Sequence, residues 1–335
     1  MNYKKIMIII KNKTLILILI FIILLAVIDM TIFSSLFNNQ NSKIQITSTT
    51  TFKNNPRLNL TIYISQPYSL LLSNILKNYT FINLNNIILL NSLVNFTPDI
   101  IISNGFYDLI YPKKVKWVIL LGTDEVVFAT NGQEYNYLIN SNLSMKGFFD
   151  YITSGLVKIG SVNPLSSFTG IYFKLILEAA GEIFYKNSSY YLQRCLINSC
   201  AIEFSSDLEA LTVLENNGVQ FIVTYKSLAD RMNLKYIQLP PYLNFGNENY
   251  SNFYSEFSYI IKLYNQNIQI KGEPNFLYIT AFTNSGVEFI YQLILSGGLE
   301  SLLNYSKPKI IFTSLQDLPP KLSLLLQEEK ILEFT

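Results

Sequence analysis

The chain has 335 residues, of which 50% are apolar and 14% charged, and a net charge of +2. That length supports one large or two medium domains with ample core. The near-neutral balance removes the basic surplus of a nucleic-acid binder and the acidic surplus of a cation store. Histidine is absent, which excludes Ser-His-Asp and Cys-His catalysis and histidine-based zinc chemistry.

From the N-terminus, Lys4, Lys5, Lys11 and Lys13 precede the uncharged run "TLILILIFIILLAVI". Residues 1–13 read as a cytoplasmic basic region and 14–36 as either a retained membrane anchor or a cleaved signal peptide. Lysines before the run and none just after it put the remainder outside the cell. Residues 37–56, polar and without periodicity, read as a tether. Asn-x-Ser/Thr sequons at Asn59, Asn78, Asn95, Asn142, Asn187, Asn249 and Asn304 fit a glycosylated outer face.

Beyond the tether, strands and helices alternate. The pattern predicts strands at 58–65, within 80–90, at 98–105, along 116–130, at 157–162, from 219 and at 275–282. Helices are expected at 68–78, 145–155, 170–185, 206–218 and from Ser285. Such an order argues for α/β architecture with mostly parallel sheets, whose ligands sit beyond the carboxyl ends of the strands. The turns to inspect are 65–69, 91–92, 104–105, 122–123, 163–170 and 225–227, where hydroxyls and backbone amides dominate. Asn163-Pro164 feeding a strongly helical run through Gly170 is an anion-shaped turn, because a helix N-terminus points free N–H groups forward. The two cysteines, Cys195 and Cys200, are too few for a thiolate metal site; they either pair across a short turn or remain two buried thiols. No dinucleotide-binding or Walker pattern occurs, so no cofactor is expected.

The order and spacing of several segments resemble the tungstate- and molybdate-binding proteins of ABC transporters. They are "IGSVNPLSSFTGIYFKLILEAAGEIFY", "LEALTVLENNGVQFIVTYKSLADRMNLKYIQLP", "NENYSNFYSEFS", "KWVILLGTDEVVFAT" and "GVEFIYQLILSGGLESLL". Together they cover about residues 57 to 312. The resemblance implies a two-lobed periplasmic-binding-protein-like fold of type II, with two crossing strands as hinge. Residues 57–125 and 277–335 would form lobe one, and 126–276 lobe two. An oxyanion, tungstate or molybdate, would be enclosed by hinge closure. The partners implied are an ABC permease and its ATPase, and the membrane through the N-terminal segment. A monomer on the extracellular face that performs no reaction is expected.

Carried over residue by residue, the resemblance places Ser65, Ser92, Ser167, Glu209 and Tyr225 at the oxyanion. Asp207 is the alternative to Glu209, since the register there is open by a residue or two. No free metal cation is implied. Two departures stand out. Pro67 replaces a binding serine of the family, with Ser65 or Ser69 as substitutes, and Ser167 stands where the family has a carboxylate that reaches the anion's central atom. One missing acid predicts weaker preference for tungstate over molybdate, or a shift to another tetrahedral oxyanion. Two alternatives remain: the same fold with a different ligand or with binding lost, and a glycosylated surface protein with a structural role.

Overall fold

The computed structural model describes residues 60–297 and 307–334. The basic region, the apolar run, the tether and the sequons Asn59 and Asn304 lie outside the described residues. Among the described residues no helix is long and apolar enough to cross a membrane.

The first sheet begins with β1 (Ile62–Ser65), which runs into α1 (Gln66–Leu76). β2 (Phe81–Leu84), α2 (Asn86–Ser92), β3 (Ile100–Asn104) and β4 (Trp117–Thr123) follow. The chain then crosses to a second sheet through Asp124 and Glu125. There it forms β5 (Val126–Thr130), α3 (Gly132–Ser141), α4 (Met145–Ile152), β6 (Ile159–Val162), α5 (Phe168–Tyr185) and α6 (Tyr190–Ile197). β7 (Ala201–Phe204), α7 (Asp207–Glu215), β8 (Phe221–Tyr225), α8 (Lys226–Arg231) and β9 (Lys235–Gln238) complete that half. The return carries α9 (Ser251–Tyr254) and an antiparallel hairpin, β10 (Ser258–Leu263) with β11 (Gln266–Lys271). β12 (Phe276–Ala281) re-enters the first sheet, followed by α10 (Asn284–Leu295), β13 (Lys309–Phe312), α11 (Pro320–Gln327) and β14 (Leu332–Glu333).

The seven-stranded sheet has the order β14-β13-β4-β12-β3-β1-β2 and the five-stranded sheet the order β7-β6-β8-β5-β9. The expected α/β class, with two helix-flanked sheets, is therefore what the chain forms. Strand direction differs from the expectation of mostly parallel pairing. β1, β2 and β3 pair in parallel, as do β6, β7 and β8. β4, β5, β9 and β12 pair antiparallel with their neighbours. The reason is the crossing: a strand that arrives from the other sheet, or leaves for it, enters against the run of the βα units.

Burial follows from the side chains. "IIISN" of β3 is buried along its whole length, as suits a central strand covered on both faces. α5 buries most of its first four turns and is capped by Ser167, whose hydroxyl accepts from the Thr169 N–H. Phe106 packs edge-on against Phe168, ring centres 4.9 Å apart, and stacks on Tyr172 at 5.3 Å. This aromatic contact seats the start of α5 against the first sheet. Gly170 is required at that junction, because a Cβ there would lie 1.9 Å from the Val162 carbonyl. Cys195 and Cys200 are disulfide-bonded, with Cα atoms 4.9 Å apart.

Candidate functional site

Carboxyl ends of β1, β2 and β3 meet carboxyl ends of β6, β7 and β8. Each strand delivers a side chain with a polar group at its end or at the start of the next helix. From the first sheet come Ser65, Asn86 and Asn104; from the second come Ser167, Thr169, Asp207 and Tyr225. All seven are buried.

On the first-sheet side, Asn104 is the centre. Its Oδ1 accepts from the Ser65 hydroxyl at 3.1 Å and from Asn86 Nδ2 at 2.9 Å. Its Nδ2 donates to the Tyr225 hydroxyl at 2.8 Å, across the cleft, and to Asn275 Oδ1 at 2.8 Å. Asn86 also donates to the Ser103 hydroxyl at 3.1 Å and accepts from the Phe168 N–H, at the start of α5, at 3.4 Å. Side chains at the ends of three strands thus tie the sheets without any charged pair.

On the second-sheet side, Asp207 is the centre. It is the first residue of α7 and follows the capping Ser206. One carboxylate oxygen accepts from the Thr169 hydroxyl at 2.7 Å, the other from the Ser167 hydroxyl at 3.2 Å. Its backbone N–H donates to Gln66 Oε1 at 3.1 Å, another bond between the halves. Burial pushes the Asp207 carboxyl up to about 6, against the lowering effect of the two hydroxyl donors. The Tyr225 hydroxyl, 3.3 Å from Thr169 Oγ1, is also held above its ordinary range, by burial first and by the Asp207 charge second.

A second acid sits at the crossing. Asp124 accepts from the Tyr68 hydroxyl at 3.0 Å, from the Ser227 N–H at 3.2 Å and from the Ser227 hydroxyl. Its backbone N–H donates to the Asn275 carbonyl at 3.0 Å. Burial pushes this carboxyl up to about 6 as well, and the Ser227 hydrogen bonds oppose the rise. Between the two acids, Tyr68 stacks on Tyr225 with ring centres 5.6 Å apart. None of the residues named in this network is Lys or Arg.

Of the five residues expected at the site, the structure brings Ser65, Ser167 and Tyr225 into one network. It does not bring Ser92 or Glu209 there. Ser92 ends α2 and turns back to the Leu89 carbonyl at 2.6 Å, because the opposite end of that helix faces the cleft. Glu209 is exposed; it reaches the Ser205 N–H at 2.8 Å and the Ser205 hydroxyl at 2.6 Å, closing the N-terminal turn of α7. Those bonds lower its pKa, the opposite of Asp207. Pro67 lies in the first turn of α1, as its second residue, and Ser69 is turned back to the Gln66 carbonyl at 2.9 Å. Asn86, Asn104, Thr169 and Asn275 join the network without having been singled out. The signal for Asn104 and Thr169 was present, since both lie in the strand-end turns. Nothing in the sequence distinguished Asn86 from Asn85 or Asn91. Among the described residues no group of three or more acids and cysteines is placed to hold a metal ion.

No protein-family profile matches the chain. Its similarity to known sequences is nevertheless clear in one direction. An uncharacterized solute-binding protein of Saccharolobus solfataricus is 29% identical over 223 residues, 64% of this chain and 53% of that protein. One of Sulfurisphaera tokodaii is 27% identical over 222 residues, 63% and 56% respectively. The chain spans about half the length of the curated relatives it matches. Among solved structures, the periplasmic molybdate-binding protein of Azotobacter vinelandii aligns with a TM-score of 0.47 at 11% identity, over 72% of this chain and 92% of that one. The sulfate-binding protein of Mycobacterium tuberculosis aligns with a TM-score of 0.46 at 10% identity, over 80% and 90%.

Proposed function

We propose that this chain is a solute-binding protein that captures an oxyanion, tungstate or molybdate, between its two sheets and passes it to an ABC importer. The observation that carries the reading is the convergence of Ser65, Asn86, Asn104, Ser167, Thr169 and Tyr225 from two sheets onto one buried place. Hydroxyls, amides and the start of α5 offer a tetrahedral anion hydrogen bonds from both sides. No lysine or arginine in the network would lock it in place, so binding and release both remain accessible. Two crossings at Asp124 and Asn275 give the closing motion a hinge. The names of the sequence relatives support the same class of activity, a binding protein and not an enzyme. Tethering by the N-terminal segment and a position on the outer face belong to this reading. Exposure of Asn78, Asn95, Asn142, Asn187 and Asn249 supports a glycosylated outer surface.

A second reading has its own observation. Asn104 bonds Tyr225 directly at 2.8 Å, and Asn86 accepts from Phe168 at the start of α5. A cleft whose two walls satisfy each other favours another tetrahedral oxyanion of different size, or loss of binding. Titration calorimetry of the full-length chain with tungstate, molybdate, sulfate and phosphate separates the two. Heat with tungstate or molybdate at micromolar concentration is the expected outcome. Binding of sulfate or phosphate alone moves the assignment to the second reading, and no heat with any of the four sinks the oxyanion function.

A further inference from the structure

The cleft that offers so many donors also holds an acid. We propose that Asp207 makes oxyanion capture proton-coupled: each dianion enters with one proton, shared between the Asp207 carboxyl and a ligand oxygen. The inference rests on the oxyanion reading and sharpens it by assigning Asp207 the choice among anions.

Ionised, Asp207 is an acceptor only, and so is every oxygen of a fully deprotonated oxyanion. Two acceptors cannot bond without a proton between them, and like charges repel strongly where water is excluded. Asp207 is only 6% exposed. The groups facing it from each packed element are all uncharged at neutral pH. They are Ser167 and Thr169 from α5, Tyr225 from β8, and Gln66 from α1. Asn86 of α2 lies behind Ser167, 3.5 Å from its hydroxyl. Glu209, two residues along the same helix, is turned outward onto Ser205. Beyond the Tyr68–Tyr225 stack the next charge is Asp124, another acid. No cation therefore compensates an anion beside Asp207. Unless the carboxylate reaches the anion's central atom, which would take up no proton, a shared proton does so.

Burial already holds this carboxyl at about 6. An anion against it shifts the same equilibrium further upward, so proton and anion bind with positive coupling, each strengthening the other. In the coupled step one O–H bond forms: solvent gives up H⁺, the carboxylate takes it, and the new O–H donates to the ligand. A monohydrogen oxyanion such as phosphate brings that proton with it and needs none from solvent. The two sources of the proton leave different marks.

The test is titration calorimetry of the full-length chain in two buffers of different ionisation enthalpy, with molybdate and with phosphate. Molybdate binding is expected to take up about one proton, and its affinity to rise about tenfold per pH unit from about pH 8 down to about pH 6.5. Phosphate carrying its own proton is expected to take up close to none at about pH 8, where it is chiefly the monohydrogen dianion. Asp207→Asn places an amide donor where the proton was, so its molybdate affinity should become flat with pH and its proton uptake vanish. Molybdate heat with no proton uptake by the unmodified chain overturns the proposal and leaves the oxyanion function standing. So does a pH slope that survives in Asp207→Asn. No heat from either anion across this range overturns the coupling outright, and the sulfate and tungstate titrations then decide the wider function.

Discussion

Asp124 and Asp207 are both buried acids, and burial lifts both to about 6. Their surroundings differ in kind. Asp124 accepts a backbone N–H as well as hydroxyls, and its own backbone is fastened to Asn275. A main-chain donor cannot turn away, so the carboxylate at the crossing is fixed by the fold. Asp207 is held by the hydroxyls of Ser167 and Thr169, and its only main-chain donor is its own N–H, which also reaches Gln66. A hydroxyl rotates and can donate elsewhere when something better arrives. Equal displacement of two pKa values thus conceals two settings: the Asp124 carboxylate bonds residues of both halves, and the Asp207 carboxylate bonds residues of the second half alone.

Substitutions can break this contrast or sharpen it. The largest effect is expected where the two regions are linked. Asn104 reaches Tyr225 on one side and Asn275 on the other. Asn104→Ala leaves four buried partners short of a bond and should cost about 3–5 kcal/mol in urea unfolding. A loss under about 1 kcal/mol would mean that the two regions are not joined through this amide. Next comes Asp124→Ala, which frees Tyr68 and Ser227 and should cost about 2–3 kcal/mol. The same substitution should leave the molybdate proton count untouched, which separates crossing from cleft.

Asp207→Asn should move stability the other way. The folded pKa lies above the unfolded one, so the ionised form is the disfavoured form. The burden is present above about pH 6 and disappears as pH falls towards the unfolded value. The variant should therefore be more stable than the parent at about pH 8, by up to roughly 2–3 kcal/mol, with the gain gone near about pH 4. A variant less stable than the parent at both ends would show that the hydroxyl pair needs a carboxylate. Smallest is Glu209→Gln. Its pKa is lowered by Ser205, so what it contributes is present at neutral pH and lost on acidification. Losing this end of the α7 cap should cost about 0.5–1 kcal/mol at neutral pH and nothing at low pH. Two acids in one helical turn thus carry opposite pH slopes.

That pair also shows where reading the sequence stops. The order of strands and helices was legible from periodicity, and so was the importance of strand ends. Ser65, Asn104, Ser167, Thr169 and Tyr225 all lie in turns that the pattern pointed to. Which acid of "SSDLEA" faces the cleft was not legible. Adjacent positions of a helix differ by about 100° in direction, and the sequence does not state where the first turn begins. Ser206 decides it by capping: with Ser206 outside the helix, Asp207 is its first residue and Glu209 closes the cap. Ser92 failed for a related reason. "NIILLNS" reads as an apolar run, and a strand would have carried its last hydroxyl to the sheet end. As a helix it buries Ile87, Leu89 and Leu90, leaves Ile88 48% exposed, and turns Asn86 to the cleft instead. Pairing direction was hidden too, because β4, β5, β9 and β12 owe theirs to a chain that changes sheets twice.

The direction of the helices has a consequence for how crowded the molecule is at its two poles. α5 starts beside Ser167 and runs 18 residues before Lys186 ends it, about 27 Å further on. α1 starts beside Ser65 and ends after 11 residues, about 16 Å away. The exposed sequon asparagines Asn187 and Asn78 follow those far ends. A sugar chain on either would be rooted at the far end of its own half, away from the strand-end turns, adding hydrodynamic bulk and shielding backbone there from proteases. The strand-end turns between the two sheets would stay clear of both sugar chains.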